Sequence, residues 1–176
     1  MSSDNILMQQ RVVLNHIQES IKELGYDTKI LDQSSEKSEL KVPILLVGLP
    51  RDNKGRDRII NLTFMLQKEQ FDYLSLIQCY SPSPFQLPST KNLDNLEKLI
   101  LAINNNIAVG NIGLTNTFNI FYRYVMSFPK WALIDKETLQ QLFIVFISIQ
   151  DNFFPLIEKF IMEKTTVEEI LSLFSN

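Results

Sequence analysis

Two glycines three residues apart, Gly110 and Gly113, have a spacing found in loops that bind phosphate groups. A dinucleotide-binding loop needs a third glycine and a helix directly after it, because the helix N-terminus binds the pyrophosphate. A GxxG loop that clamps a nucleic-acid backbone joins two helices and usually offers positive charge. Here the glycines follow a predicted helix and precede predicted strands, and Asn111 and Ile112 between them are neutral. The pattern therefore favours a structural corner.

Catalytic and metal-binding residue types are scarce in this chain. It contains one histidine, His16, and one cysteine, Cys79, so it cannot build the clusters that zinc or iron sites usually need. His16 lies beside the apolar stripe of the first predicted helix, without a serine, cysteine or second histidine in a recognisable arrangement. Cys79 stands among aliphatic residues of a predicted strand, which indicates an inert thiol in or near the core. We expect no enzymatic activity, no cofactor and no metal.

The segment RDNKGRDR combines four cationic side chains with two aspartates. The cationic residues are Arg51, Lys54, Arg56 and Arg58. They could contact a phosphate or an acidic partner, which makes them candidate anion contacts. No aromatic platform for single-stranded nucleic acid accompanies them. The favoured interpretation is a hairpin tip whose mixed charge keeps it soluble.

The composition limits the class of protein and its location. The chain has 176 residues, of which 45% are hydrophobic and 21% charged, typical of one globular domain. A net charge of −3 and a pI near 5.2 give no overall field that would attract nucleic acid. The N-terminus lacks the apolar segment of a secretory signal, and the longest apolar run, Leu142 to Ile149, is less than half of the roughly 20 residues that a membrane span needs. We expect a cytoplasmic protein that makes no contact with a membrane.

Hydrophobic periodicity predicts an α+β fold. Apolar residues at helical spacing mark a first helix ending at Gly25, a second ended by the asparagines at 104 to 106, and a long third helix capped by Asp135. Strands are predicted at 26–31, 42–49, 58–66, 72–80, 111–114 and 118–128. A capping box from Thr166 to Glu169 begins a small terminal helix within 165–176. The order α-β-β-β-β-α-β-β-α predicts an antiparallel sheet flanked by helices, in one domain spanning 1–176.

Apolar side chains on both faces of the predicted sheet suggest an interaction surface. In the strand 118–128, alternate residues from Phe118 to Phe128 form one apolar face, which we assign to the core. Apolar residues of the opposite face, together with a tryptophan in the following loop, are candidate partner-binding residues: Ile59, Met65, Phe121, Val125 and Trp131. Another part of the same chain, a second copy in a homodimer, or a different protein could cover them. The third helix is also apolar nearly all round from Leu142 to Ile149.

The region from Asn92 to Ile161 resembles the YbjN-like domain family, which shares the fold of class I type III secretion chaperones. The resemblance rests on LILAINNNIAVGNIGLTNTFNIFYRYVMSF followed by LIDKETLQQLFIVFISIQDNFFPLIEKFI. These segments give a helix, a small-residue corner, a strand containing IFYRY, and a long helix with paired aromatics before Pro155. The preceding helix and strands match only in their order.

The resemblance implies a non-enzymatic α+β domain that binds proteins, often as a homodimer. Chaperone-type relatives capture extended partner segments along hydrophobic patches. The family supplies no catalytic residues. The leading hypothesis is therefore a cytoplasmic protein-binding or chaperone-like module. The alternative is a small-molecule sensor whose ligand pocket lies between the sheet and the long helix.

Overall fold

The computed structural model describes residues 3–31, 42–65, 73–87, 92–130 and 132–174. These residues form four helices and six strands, which confirms the α+β class. The helices are α1 (Ser3–Lys22), α2 (Leu93–Asn104), α3 (Lys136–Ile161) and α4 (Val167–Ser172). The strands are β1 (Asp27–Leu31), β2 (Ile44–Leu49), β3 (Arg58–Phe64), β4 (Leu74–Pro82), β5 (Asn111–Leu114) and β6 (Ile120–Pro129). They form one antiparallel sheet in the order β1-β2-β3-β4-β6-β5.

The chain divides into two compact units. Unit 1 contains residues 1–81 and 125–143, and unit 2 contains residues 82–124 and 144–176. The prediction of a single domain over 1–176 stays a prediction.

In unit 1, α1 packs against β1 and β2. The buried stripe of α1 consists of Val13, Leu14, Ile17 and Ile21, and each of these side chains contributes about 1.5–3 kcal/mol by leaving water. The helix ends as predicted, with Gly25 at φ +88°, a left-handed conformation that suits glycine.

Three polar contacts join α1 and the residue directly after it to the chain around the start of α3. The Nε2 atom of His16 lies 2.7 Å from the carbonyl oxygen of Ile134, and Gln140 Nε2 donates to the Ser20 carbonyl over 3.0 Å. Lys136 forms an ion pair with Glu23, whose hydrogen bond raises the pKa of the lysine. These contacts fix the entry of α3, whose N-cap is Asp135 as predicted: its Oδ2 accepts the Thr138 N–H at 3.0 Å.

In unit 2, Tyr122 of β6 lies at the centre of the packing. Its side chain is fully buried, its ring lies 4.4 Å from that of Phe146, and its hydroxyl donates to the Val109 carbonyl over 2.6 Å. The short helix α4 packs against α2, and the rings of Phe153 and Phe174 are 6.0 Å apart. The predicted capping box of α4 is confirmed.

Two helix ends differ from simple expectation. Asparagine often ends a helix by adopting the left-handed conformation, which we expected at 104 to 106. This expectation is wrong for the residue after α2, because Asn105 keeps a right-handed backbone with φ −68°. At the end of α3, Glu163 takes the left-handed position with φ +55°. There Glu163 N–H donates to the Phe160 carbonyl and Lys164 N–H to the Lys159 carbonyl, both over 2.9 Å. This pattern is a Schellman motif in which glutamate replaces the usual glycine.

The last strand also begins later than predicted. Phe118, assigned to the buried face of the strand 118–128, lies in the β5–β6 turn with φ +59° and is 39% exposed. The Thr115 hydroxyl oxygen accepts the Asn119 N–H at 3.0 Å, and the Phe118 N–H donates to the Thr115 carbonyl over 2.8 Å. These local bonds stabilise the turn, so the alternating pattern begins only at Ile120.

Candidate interaction surface

The sheet of unit 1 has two chemically different faces. On the inward face, alternate side chains of β2, β3 and β4 are almost completely buried: Leu45, Val47, Ile60, Leu62 and Ile77. The rings of Phe64 and Phe128, 6.4 Å apart, show that residues 125–129 of β6 share this inward side. Because side chains alternate along a strand, the residues between these positions point to the opposite side.

We call this opposite side of unit 1 the outer face. Its residues on β2, β3 and β4, including the position directly after β3, are Ile44, Leu46, Gly48, Ile59, Asn61, Thr63, Met65, Leu74, Leu76, Gln78 and Tyr80. Val125 and Ser127 continue it on β6. None of these residues carries a charge. The neighbouring strand β1 adds two exposed charged residues at the margin of the same side, Asp27 beside Gly48 and Lys29 beside Leu46.

Cross-strand pairing places apolar and amide side chains next to one another on the outer face. Leu46 lies opposite Asn61, which in turn lies opposite Tyr80. In the adjoining row, Thr63 lies between Ile44 and Gln78. Depletion of charge, with apolar and aromatic side chains kept, is the composition of the central part of protein interfaces. A sheet face adapted only to water would carry more charged residues.

Three of the predicted partner-binding residues lie on the outer face. Ile59 is 36% exposed, which places it among the exposed apolar residues of the chain. Met65 is half-buried, and its N–H donates to the Leu76 carbonyl over 3.0 Å. Val125, also half-buried, occupies the outer side of β6. The structure therefore places all three on one side of the same sheet.

The other two predicted partner-binding residues differ. Phe121 belongs to unit 2, where it pairs with Gly113 across β5 and β6. A Cβ atom at Gly113 would lie 2.6 Å from Cζ of Phe121, so the ring occupies the space that a side chain would need. Phe121 therefore covers its own sheet, and its local role is to pack over glycine. Trp131 lies outside the described residues.

The cationic residues at 51–58 form the connection between β2 and β3, as predicted for a hairpin tip. Arg51 Nε lies 3.0 Å from an oxygen of Asp57, and Arg56 pairs with Asp52 at 2.6 Å. The Arg58 side chain donates to the Pro50 carbonyl over 2.9 Å. Three of the four cationic side chains are therefore bound to oxygen atoms of the loop itself. The assignment of an anion contact stays a prediction.

Asp52 organises this tip. Its Oδ1 atom accepts the backbone N–H groups of Lys54 and Arg56, both at 2.9 Å, and its Oδ2 accepts Arg56 Nε at 2.7 Å. Burial tends to raise the pKa of Asp52, but the hydrogen bonds from Arg56 and Lys54 together outweigh it and hold the pKa below its ordinary value. The carboxylate is therefore ionised at neutral pH and stabilises the loop.

Cys79 and the two glycines, considered above for chemistry, are packed against other residues of the chain. Cys79 is buried, as predicted, and burial raises the pKa of its thiol to about 12, so it is protonated at neutral pH. Within the described ranges, no group of three His, Cys, Asp or Glu side chains is placed to hold a metal ion. Gly110 and Gly113 lie against Tyr122 and Phe121, which confirms the structural corner.

Some outer-face residues were not singled out from the sequence, namely Ile44, Leu46, Leu76 and Tyr80. The sequence of β2, ILLVGL, is apolar on both faces and so does not show which side is buried. The apolar residues on both sides of β2 could have indicated a second buried or partner-binding face, because a strand with one solvated face normally alternates apolar and polar residues.

No protein-family model and no curated protein matches the chain. The resemblance to YbjN-like domains therefore stays a prediction. None of the helices within the described part of the chain is both long enough and apolar enough to cross a membrane.

Proposed function

We propose that this chain is a non-enzymatic, cytoplasmic protein-binding module of the YbjN-like, chaperone-like kind, and that its outer face binds a segment of a protein partner. The observation that carries the proposal is the uncharged composition of the outer face across β2, β3, β4 and residues 125–129 of β6. The exposed side chain of Ile59 supplies an accessible apolar contact within it.

The dimensions of the outer face favour a segment over a globular partner. Four strands about 4.8 Å apart and about six residues long, at 3.4 Å per residue, give a face of about 19 by 20 Å. This area, about 400 Å², is half of the roughly 800 Å² that each partner buries in a standard interface. One helix or one extended stretch of a partner fits this size.

The chemistry of the outer face also describes the segment that fits it. Asn61, Gln78 and Tyr80 offer neutral donors and acceptors, whereas the surrounding leucine, isoleucine and methionine side chains offer apolar contact. Over β3, β4 and β6 a charged segment would lose its hydration without gaining an ion pair, because Asp27 and Lys29 lie only at the β1 margin. The partner segment should therefore be apolar, with a few neutral polar side chains.

The test measures binding of a fluorescently labelled, reduced and carboxymethylated protein that cannot refold, by anisotropy. The variant Ile59→Asp places a charge on the outer face at a position that is already 36% exposed, so the fold should tolerate it. The matched control is Leu101→Asp, because Leu101 is 64% exposed on α2 in the other unit. Thermal unfolding of each variant checks that its fold is intact.

We expect Ile59→Asp to weaken binding at least ten-fold, equivalent to about 1.4 kcal/mol, and Leu101→Asp to leave it unchanged. Equal binding by Ile59→Asp and the unsubstituted chain would overturn the proposal. The sensor alternative makes a different prediction: a small molecule, rather than an unfolded protein, would raise the unfolding temperature.

A further inference from the structure

Among the strands that the structure describes, β5 lies at one end of the sheet and pairs only with β6. Its register places Asn111 opposite Arg123 and Gly113 opposite Phe121, and the Thr115 N–H donates to the Asn119 carbonyl over 2.9 Å. In an antiparallel pair, hydrogen-bonded positions alternate with positions that do not bond each other. The backbone groups of the intervening residues, Ile112 and Leu114, therefore point away from β6.

Asn104 already binds one of these outward positions. Its Oδ1 atom accepts the Ile112 N–H at 2.8 Å, and its Nδ2 atom donates to the Ile112 carbonyl over 2.9 Å. A carboxamide has the same donor and acceptor as a peptide group. The last residue of α2 thus makes the pair of hydrogen bonds that a neighbouring strand would make.

The edge of β5 is also protected by its length of only four residues and by its contact with α2, but not by charge or proline. Its sequence, NIGL, contains neither lysine nor proline, and no charged residue occurs from Leu99 to Tyr122. Edge strands of soluble proteins usually carry such residues, because exposed N–H and C=O groups can pair with another chain. Asn104 therefore protects this edge by occupying its backbone groups, a role that charged side chains have in other edge strands.

We propose that β5 is a latent strand-addition site closed by Asn104, and that the strand it accepts when opened is β5 of a second copy. Two identical edges can pair antiparallel about a two-fold axis, since each offers the outward groups of Ile112 and Leu114. The uncharged sequence of the edge removes the like-charge repulsion that would oppose this self-contact. This inference is independent of the outer face.

The test compares self-association of three variants with that of the unsubstituted chain, by sedimentation over a concentration series. Asn104→Ala removes both hydrogen bonds and opens the edge. Asn104→Lys also removes them but puts a positive charge at the edge. Asn106→Ala is the matched control, because the Asn106 side chain, in the turn after α2, donates to the Ala102 carbonyl of that helix and not to β5.

We expect Asn104→Ala to lower the dimer dissociation constant at least ten-fold, and Asn104→Lys and Asn106→Ala to leave it unchanged. If Asn104→Ala does not fold, Asn104→Ser replaces it, because the shorter hydroxyl side chain cannot reach both backbone groups. No gain in association by the folded variant would overturn the proposal. So would an equal gain by Asn104→Lys, since the cause would then be a loosened α2 end.

Discussion

Gly110, which precedes β5, gives a sharp test of the packing in unit 2. It has φ +74°, and a Cβ atom added there would lie 2.6 Å from the Arg123 carbonyl oxygen and 2.8 Å from the Tyr122 ring. The left-handed backbone costs an alanine about 1–2 kcal/mol. The forced overpacking adds about 1–3 kcal/mol, and the stiffer unfolded chain returns about 0.4–1 kcal/mol. Gly110→Ala should therefore lower the free energy of unfolding by about 2–4 kcal/mol.

The chain contains a control that isolates the steric part of this cost. Gly25 has φ +88°, but no heavy atom lies within 4 Å of its added Cβ. Gly25→Ala should therefore lose only about 1 kcal/mol, from the backbone conformation alone. Urea unfolding of both variants, with unchanged dependence on denaturant, gives the two free energies. A Gly110→Ala variant as stable as Gly25→Ala would refute the close packing described for Tyr122.

Three further predictions concern hydrogen bonds and helix ends. Glu163→Gly should raise the unfolding temperature by about 2–4 °C, since glycine removes about 1 kcal/mol of left-handed strain, and a calorimetric midpoint that does not rise would contradict this. Tyr122→Phe should cost about 1 kcal/mol in urea unfolding, because the Val109 carbonyl loses its donor. Tyr26→Phe, which keeps the contact of its ring with Phe143 at 5.3 Å, should change stability by less than about 0.5 kcal/mol, and equal losses would be inconsistent with the assigned bond. Because hydrogen bonding lowers the pKa of Asp52, its stabilising effect is present above pH about 4 and is lost as pH falls further. Denaturation midpoints from pH 6 to pH 2 should therefore fall less for Asp52→Asn, and parallel curves would disprove the coupling.

Much of the fold was predictable because local rules and packing agree. Alternation in the sequence predicted the buried residues Tyr122, Met126 and Phe128 of β6, and the capping box identified the start of α4. Phe118 was misassigned because it continues the same alternation. Hydrogen bonds to Thr115 decide its conformation, and periodicity contains no information about them.

The candidate surface was predictable only in part. Alternation identified Ile59 and Val125, but charge counting at 51–58 could not show that Asp52 and Asp57 would pair with the arginines. The packing of Phe121 over Gly113 depends on strand register, which brings together residues from two strands. The sequence read one residue at a time therefore does not show that Phe121 packs over Gly113, and its assignment to a partner stays a prediction.

The hydrogen bond between His16 and the carbonyl of Ile134 has a consequence for synthesis on the ribosome. Unit 1 is discontinuous in the chain, because residues 82–124 of unit 2 are translated before residues 125–143 complete unit 1. Unit 1 therefore cannot complete its fold until residues 125–143 have been synthesised. At about 5–20 residues per second, translating those intervening residues takes at least about two seconds. During this interval His16 and the Ser20 carbonyl of α1 lack their partners at Ile134 and Gln140, so α1 is held only by its contacts with β1 and β2.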